Sequence, residues 1–370
     1  MLPVLLSFDY LAECFAASYA EAHIKFKHAC DRHEHSRYRE FVYRQKGPAN
    51  EKLFTAVTWL GKPTASRVLV LQSATHGVEG FAGTAIQLDC LQQLAQQAMA
   101  DGTAVLFIHA INPYGYAWLR RVNEQGVDLN RNFVDFTAPL PTNHAYAELA
   151  SALLPAAGQD WDVADACLQA YRAGHGRQAF EQAVSGGQYE FAEGLFYGGR
   201  QASQSRLYLE QIISDFELGQ RQQVAVIDIH TGLGPFGYGE LICDHLPGSA
   251  AVDWAKQVYG GSVTEPALGT SSSVPKQGLI DYLWHDRLGD RVCFVTLEFG
   301  TYSVEQMFNV LRQDHVLHRS PFDWDDPRIQ AIKQRMRDNF YPATADWQEM
   351  VLLRGRQVIG QALLALGESV

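Results

Sequence analysis

The sequence lacks the patterns that mark a disulfide-stapled, thiolate-zinc or membrane-spanning protein. Its six cysteines are scattered and contain no C-x-x-C pair, so we expect reduced, mostly buried thiols. No stretch approaches the roughly 18 apolar residues needed to span a bilayer. The apolar start, M-L-P-V-L-L, has no basic segment and no small-residue cleavage site, which argues against a signal peptide. We therefore expect a cytoplasmic protein with no membrane partner.

An excess of positive charge is also missing. The chain has 30 Lys and Arg against 41 Asp and Glu, a net charge of −11, and nucleic-acid affinity depends largely on clustered cations. Nucleic acid and anionic lipid are therefore poor candidate partners. With 47% apolar and 19% charged residues over 370 positions, the composition is that of a globular protein. It predicts one domain over residues 1–370.

Short apolar strands alternate with helical patterns along the chain. The pattern predicts an N-terminal helix over 8–30 and a helix over 80–99, with two more helices in the last 45 residues. The predicted strands are 39–45, 53–60, 67–72, 104–110, 224–229 and 292–297. This alternation indicates an α/β fold with a largely parallel or mixed sheet. Residues 134–221 have helical patterns and poor strand signals, so we interpret them as a helical insertion that rims the site.

Candidate metal ligands follow two of these strands. His76 and Glu79 come after strand 67–72, with Gly77 between them to permit an unusual backbone turn. His230 at the end of strand 224–229 is the best third ligand. A His/Glu/His set leaves a coordination position for water, the pattern of a catalytic zinc site. H-x-x-E alone is a weak motif, because a histidine near a strand end is more often structural.

Two further groups supply the chemistry that such a metal needs. Glu298 follows strand 292–297 and could act as a general base and then as an acid; the alternative is the N-cap of a helix starting near Tyr302. The planar guanidinium group of arginine binds carboxylates and oxyanions well. The alternative interpretation of the arginines in this chain is a solvated basic turn. These arginines lie beside two asparagines in the segment 119–133: Arg120, Arg121, Arg131, Asn123 and Asn130.

With these motifs in hand, the chain resembles the zinc carboxypeptidase superfamily of funnel-shaped metallopeptidases, which includes aspartoacylase and succinylglutamate desuccinylase. It is most similar to a bacterial branch described only as a domain of unknown function. The resemblance implies a three-layer α/β/α sandwich around a mixed sheet of roughly eight strands. The motifs that carry it are A-T-H-G-V-E-G-F-A-G, N-P-Y-G-Y-A-W-L-R-R-V-N, D-L-N-R-N-F, D-I-H-T-G-L-G and, in the insertion, G-L-F-Y-G-G.

The resemblance also implies roles for single residues. His76, Glu79 and His230 would hold one zinc ion, and Glu298 would be the general base. The remaining roles concern the arginine segment. Arg121 would polarise the scissile carbonyl, with Arg120 as the alternative because the spacing is ambiguous by one; Asn130 and Arg131 would clamp a terminal carboxylate, and Asp128 would orient His76.

The sequence departs from the family pattern at the substrate pocket. Members of the superfamily place a substrate-capping tyrosine about five residues before the glycine of G-x-x-D. Here that motif is 278–281 and the counted-back residue is Ser273, so Tyr282 or a tyrosine of the insertion could replace it. Ile280 lies at the position that sets side-chain preference, and its apolar character argues against a basic side chain.

The expected function is zinc-dependent hydrolysis of an amide bond next to a carboxylate-bearing group, by a carboxypeptidase-like metallopeptidase acting on a small peptide. The missing tyrosine favours an alternative, an amidohydrolase that deacylates an N-acyl amino acid, as succinylglutamate desuccinylase does. A non-catalytic metal- or peptide-binding protein is the alternative from another class. His109 and the pair Asp244–His245 are candidates for a second metal, and we expect them to be structural. The sequence does not predict the oligomeric state.

Overall fold

The fold is built on eight strands, and the computed structural model describes residues 7–96 and 99–367. The strands are β1 (Arg37–Lys46), β2 (Lys52–Leu60), β3 (Arg67–Ser73), β4 (Thr103–His109), β5 (Gln223–Phe236), β6 (Gly239–Ile242), β7 (Val263–Thr264) and β8 (Val292–Gly300).

Thirteen α-helices accompany the strands within the described ranges. They are α1 (Phe8–Cys14), α2 (Tyr19–Asp31), α3 (Gly80–Leu94), α4 (Pro113–Ala117), α5 (His144–Leu153), α6 (Trp161–His175), α7 (Arg177–Ser185), α8 (Gln204–Asp215), α9 (Ala250–Tyr259), α10 (Asp281–Leu288), α11 (Val304–Leu317), α12 (Pro327–Phe340) and α13 (Ala345–Gly367). No described helix combines the length and apolar character needed to cross a membrane.

All eight strands form one mixed sheet in the order β1-β2-β4-β3-β5-β8-β6-β7. The central strands β4, β3, β5 and β8 run parallel to one another, and the pairs β1–β2, β2–β4 and β6–β8 are antiparallel. Every residue of β4 is buried, as expected for a strand covered on both faces. The predicted α/β fold with a mixed sheet of about eight strands is confirmed.

Apolar packing on both faces of the sheet gives three layers. Along β3, Leu69 and Leu71 face one core and Val68 and Val70 face the other, as the two-residue period of a strand requires. Helices α2, α3 and α13 cover the first core, while α8 and α10 cover the second. The three-layer sandwich is therefore built from the strand pattern itself.

The predicted N-terminal helix over 8–30 is two helices. The chain leaves the helical conformation at Phe15 and adopts extended backbone again at Ser18. Ser18 starts α2 as its N-cap, since its side chain accepts a hydrogen bond from the backbone N–H of Glu21. The apolar spacing that runs through both helices concealed this capping signal.

The segment 134–221 contains helices α5 to α8 between β4 and β5. The extended pairing described in this segment is one isolated bridge between Gln188 and Tyr197. Tyr146 and Leu149 of α5 are buried in the larger core. The helical insertion thus packs against the rest of the chain and contributes to its interior.

Strand β5 is longer than predicted because it continues past His230 to Phe236. The pairing with β8 shifts register between Gly232 and Phe236, and Gly300 is opposite both. A Cβ on Gly300 would lie 1.9 Å from the backbone oxygen of Pro235, so glycine is required by this close approach. His230 and Glu298 consequently lie inside strands rather than just beyond them. The helix predicted over 80–99 ends at Leu94, and its residues 97–98 lie outside the described ranges.

Candidate functional site

His76, Glu79 and His230 form a buried cluster at the carboxyl ends of the central strands. Their ligand atoms all lie within 4.8 Å of one another. The Nδ1 atom of His76 is 3.0 Å from Glu79 Oε1, and the Nδ1 atom of His230 is 3.0 Å from Glu79 Oε2. The two Nδ1 atoms are themselves 3.0 Å apart. One nitrogen of each imidazole and one carboxylate therefore converge on a common point.

The loop that carries His76 and Glu79 is held against the arginine segment by its backbone. The N–H of Gly77 donates to Arg121 O at 3.1 Å, and the N–H of Val78 donates to Arg120 O at 2.8 Å. Gly77 lies in a short 3-10 helix and has no left-handed backbone, so the predicted unusual turn is wrong. Glycine is needed because a Cβ would lie 2.1 Å from the backbone of Gly115.

Two carboxylates contact the Nε2 atoms of the two histidines and orient their rings. Asp128 Oδ1 lies 3.1 Å from His76 Nε2, and Asp228 Oδ2 lies 2.7 Å from His230 Nε2. Asp228 accepts a hydrogen bond from the Nε2–H of His230, which leaves the Nδ1 lone pair of that ring free to bind a metal. The Nε2 atom of His76 has two neighbours, Asp128 and the Arg121 guanidinium, whose terminal nitrogen is 2.7 Å away. Sequence reasoning named Asp128 and missed Asp228. The signal was available, because Asp228 and His230 are two residues apart on β5 and share a face.

The donor set fits a zinc ion. Ligands about 2.0–2.1 Å from a tetrahedral zinc are separated by roughly 3.3 Å, close to the 3.0 Å separations found among His76, Glu79 and His230. Burial opposes charge on Glu79, but the two imidazoles beside it hold the pKa of its carboxyl well below the usual value. The ionised form that a metal needs is thus favoured. Across the described residues this is the one group of three with ligand geometry.

Glu298 stands next to this cluster. It is the register partner of His230 across the β5–β8 pair, and its Oε1 accepts a hydrogen bond from the Leu233 N–H at 2.9 Å. Burial, reinforced by the negative charge of Glu79, raises the pKa of Glu298 to about 7. The N-cap alternative is excluded because Ser303 caps α11. The carboxyl is therefore placed and poised to exchange a proton near neutral pH.

Arg121 and Arg120 point in different directions. Arg121 donates from Nε to Asp128 at 3.0 Å and from one terminal nitrogen to Glu79 at 3.2 Å, and it lines the cavity next to the cluster. Arg120 donates from Nε to Asp314 at 2.8 Å inside the protein, and it is not among the residues that line the cavity. The structure thus brings Arg121, but not Arg120, to the candidate site.

Arg131 and Asn130 lie further along the same cavity. Arg131 is fully buried, and its guanidinium donates to the backbone oxygens of Asn130 and Ser185. Within the described ranges no carboxylate lies within 4.0 Å of it, since no ion pair includes Arg131. Asn130 accepts a hydrogen bond from the Ile280 N–H at 2.8 Å. The cavity therefore contains a cation without a carboxylate partner.

Ile280 does not reach the cavity. It is 1% exposed and packs in the smaller core, and the neighbouring Leu279 lines the cavity instead. Other residues therefore determine the chemical character of the pocket that Ile280 was expected to shape. Asp244 and Lys276, which were not predicted for substrate binding, both line it.

None of the tyrosines that the structure describes lines the cavity. The Tyr282 hydroxyl donates to Lys276 O at 3.3 Å, and the hydroxyl of Tyr189, one of the tyrosines of the insertion, donates to Arg131 O at 2.7 Å. Ser273, the counted-back position, does line the cavity. The departure expected from the sequence at this position is therefore present in the fold.

The insertion forms one wall of the cavity through Glu181, Ser185 and Phe196. The Phe196 ring lies 5.3 Å from the Arg121 guanidinium carbon and 5.7 Å from that of Arg131, so one aromatic ring contacts both cations. Phe196 belongs to the G-L-F-Y-G-G stretch, whose turn-rich composition was the available signal. The cavity is thus lined by the two histidines of the cluster and by Arg131.

The candidates for a second metal site have structural partners. His109 is buried and stacks on Phe26 with ring centroids 4.6 Å apart. The Nε2 atom of His245 accepts a hydrogen bond from the Phe294 N–H at 3.0 Å. Burial lowers the pKa of both imidazoles, that of His245 to about 3, so both are neutral.

Comparison with solved structures shows that the fold is similar to that of a carboxypeptidase A. The carboxypeptidase A of Helicoverpa armigera superimposes with a TM-score of 0.54 at 13% identity, covering 96% of this chain and 74% of that one. A metallo-carboxypeptidase of Burkholderia cenocepacia gives 0.41 at 14% identity, covering 91% and 68%. The succinylglutamate desuccinylase of Chromobacterium violaceum gives 0.38 at 16%, covering 89% and 76%. At these identities the likeness concerns the fold alone.

Sequence comparison gives a family without an assigned activity. No protein with a curated function matches the chain significantly. The model of a family described as "Protein of unknown function (DUF2817)" matches residues 15–354, which include the whole cluster, Glu298 and the arginine segment. The chain therefore belongs to the DUF2817 family, and its fold is that of the carboxypeptidases.

Proposed function

We propose that the protein is a zinc-dependent hydrolase that cleaves an amide bond next to a carboxylate-bearing group. The observation that supports this most strongly is the convergence of His76, Glu79 and His230 beside Glu298. A metal ligand set, a proton-transfer carboxyl and an unpaired arginine in one cavity are the parts that such a hydrolase needs.

A zinc ion held by the cluster would supply Lewis acidity and lower the pKa of a water molecule. The chain's own residues would do the rest. Glu298 takes a proton from the attacking water and delivers it to the departing nitrogen. Arg121 donates to the developing oxyanion of the substrate carbonyl. Arg131 and Asn130 hold the carboxylate of the leaving group.

A carboxypeptidase-like metallopeptidase is the form of this function that we favour. Its substrate would be a small peptide whose free carboxylate binds Arg131. The buried guanidinium has no carboxylate partner among the described residues, and an unpaired buried cation gains strongly from an incoming anion. The carboxypeptidase fold is compatible with this choice.

An N-acyl amino acid amidohydrolase is the second candidate. It is favoured by the absence of tyrosine from the described cavity lining, because that residue caps peptide substrates in the resembling peptidases. The same arginine would then hold the amino acid that is released. A non-catalytic metal- or peptide-binding protein is the third candidate, and the complete set of ligands, base and arginines argues against it.

The test is a mass-spectrometric readout of a mixed library of peptides and N-acyl amino acids incubated with zinc-loaded protein. Stepwise loss of C-terminal residues supports the peptidase, whereas release of acyl groups with peptides untouched supports the amidohydrolase. Chelator-treated protein is the negative control. Absence of any product from the whole library would contradict the proposal and favour a binding protein.

The variant Glu298→Gln separates a catalyst from a binder. We expect it to retain zinc, measured by elemental analysis, while turnover falls by roughly 10²–10⁴-fold. Glu305→Gln is the matched control, since Glu305 pairs with Arg172 at the surface and its side chain is 57% exposed. Unchanged turnover in Glu298→Gln would mean that another group is the base.

A further inference from the structure

Lys276 extends its side chain into the candidate active-site cavity. Its ammonium donates to the Ser273 hydroxyl and, at 3.0 Å, to the backbone oxygen of Val274. Ser273 is the position at which the resemblance places the substrate-capping tyrosine. A cation therefore lies where the resembling peptidases have a phenol.

Lys276 and Arg131 are two cations in one cavity, and neither has an ion-pair partner. In the described part of the chain no carboxylate oxygen lies within 4.0 Å of either group, because no ion pair includes them. Burial, together with the positive charge of Arg131, lowers the pKa of Lys276 to about 8. Unpaired buried charge is costly. An anion that approached both groups would remove this cost.

The described carboxylates near the cavity are either paired with Arg121 or lie beyond ion-pair distance of Lys276 and Arg131. Arg121 is already neutralised by Asp128 and Glu79. Lys276 and Arg131 contribute two positive charges, and the carboxylate of Asp244 contributes one negative charge that attracts both at longer range.

Glu298 is the other carboxyl that attracts Lys276, and the proposed function assigns it to proton transfer. Arg131 is attracted by Asp128 as well as by Asp244. Among the groups in the described part of the chain, none forms an ion pair with Lys276 or Arg131, so a ligand carboxylate would be the first anion to pair directly with either cation.

We propose that Lys276 binds the carboxylate of the substrate's leaving group together with Arg131, in the role that a tyrosine has in the resembling peptidases. This inference rests on the proposed function, which supplies a carboxylate-bearing substrate. It adds a substrate-binding residue that no motif of the sequence indicated. A salt link can hold the carboxylate more firmly than a phenol, since hydrogen bonds to charged groups are the stronger ones.

The competing interpretation is that Lys276 only stabilises the loop after Leu268. Its hydrogen bonds to Ser273 and Val274 would then be its whole role, with Asp244 as a distant counter-charge. The two interpretations differ in what happens to a ligand, because a purely structural lysine does not distinguish a carboxylate from an amide.

The experiment measures binding rather than turnover, in chelator-treated protein, so that no metal competes for the probe. N-acetylglycine is titrated calorimetrically against its neutral isostere N-acetylglycinamide. We expect the wild type to prefer the acid, and Lys276→Met to weaken acid binding by about tenfold or more while leaving the amide unchanged. Lys62→Met is the matched control, since Lys62 pairs with Asp101 at the surface with its side chain 73% exposed.

Two further variants keep the test decisive if Lys276→Met folds poorly. Lys276→Gln retains a hydrogen-bond donor for Ser273 without the charge and should lose the same preference, whereas Lys276→Arg should keep it. The inference is overturned if the wild type does not distinguish acid from amide, or if the neutral variants bind the acid as the wild type does.

A failure of the proposed function would show itself separately. In that case carboxylate binding would persist while zinc-loaded protein hydrolysed nothing in the peptide and N-acyl library. Loss of acid preference in Arg131→Met with full retention in Lys276→Gln would instead leave the function standing and assign the carboxylate to Arg131 alone.

Discussion

His230 and Glu298 are register partners on the adjacent parallel strands β5 and β8. The proposed metal ligand and the proposed proton-transfer carboxyl are therefore fixed relative to one another by the central hydrogen bonds of the sheet. Sites held by strands are more precise than sites held by loops. A slip of one residue between these strands would turn one of the two side chains to the opposite face.

Replacing Asp228 should weaken metal binding without removing a ligand. Asp228 Oδ2 lies 2.7 Å from His230 Nε2 and fixes the orientation of the ring. We expect Asp228→Asn to reduce zinc affinity by about 10–100-fold, measured by competition with a chromogenic chelator. Asp101→Asn at the exposed pair with Lys62 is the control. Equal affinity in the two variants would contradict this role.

Arg121 should be needed for the rate rather than for metal binding. Its fork contacts Asp128 and Glu79 and lies at the cluster. Arg121→Lys keeps the charge but loses the planar fork, so we expect kcat to fall by roughly 10²–10³-fold. Zinc content should stay near that of the wild type. A change confined to KM would indicate that Arg121 binds the ground state only.

Gly77→Ala should disturb the metal centre through packing alone. The added Cβ would lie 2.1 Å from the backbone of Gly115, so the loop that carries His76 must move. We expect lower zinc affinity together with lower thermal stability. Gly158→Ala is not a suitable control, because Gly158 has a positive φ of 83°. Gly174→Ala is a suitable control, because no atom lies within 4 Å of the position that a Cβ would take there. Wild-type zinc affinity in Gly77→Ala would contradict the prediction.

Carboxylate binding in the metal-free protein should weaken as the pH rises. Burial lowers the pKa of Lys276 to about 8, and burial together with Asp281 raises the pKa of Asp244 to about 7. As the pH rises, Asp244 first gains a negative charge and Lys276 then loses its positive charge. The first change adds repulsion and the second removes an attraction. The affinity for N-acetylglycine should therefore be highest below about pH 7.

The other charged groups facing this pair set the control for that pH profile. Arg131, Arg121 and Glu298 face Lys276, and Asp281, Arg131 and His230 face Asp244. Calorimetric titration from about pH 6 to about pH 9 covers both transitions. In Lys276→Met the fall above about pH 8 should disappear. A fall that persists in that variant would assign the transition to another group.

Asp314 should be essential for stability. It accepts hydrogen bonds from Arg120 at 2.8 Å and from Lys333 at 2.5 Å, and all three side chains are buried. Asp314→Asn leaves two buried cations without a counter-charge, so we expect a loss of about 3–5 kcal/mol in the free energy of unfolding. Denaturant unfolding measures it. Asp338→Asn on the exposed side of α12 should change it by less than about 0.5 kcal/mol.

The parts of the site that follow strands could be predicted from the sequence. Short apolar strands locate the carboxyl ends of a parallel sheet, and His76 and His230 follow the predicted strands 67–72 and 224–229. Asp228 was open to the same reasoning, since residues two apart on a strand share a face. Local periodicity in the sequence therefore predicts most of the residues of the proposed metal centre.

The rest depends on contacts that local patterns do not encode. The choice between Arg120 and Arg121 is set by Asp314, which is 194 residues from Arg120 in the chain. The loop after Leu268 has few repeating backbone hydrogen bonds, so no periodicity could indicate that Lys276 enters the cavity or that Ile280 turns into the core. Loop conformation was therefore the limit of the sequence analysis.

The strand order also determines when the metal centre can exist. In the sheet β5 lies between β3 and β8, and His76 and His230 are 154 residues apart in the chain. A growing chain that ends before β5 has two ligands and no third, and one that ends before β8 has no proton-transfer carboxyl. Because such distant pairings form late in folding, zinc uptake during synthesis would report that β5 has paired with β3.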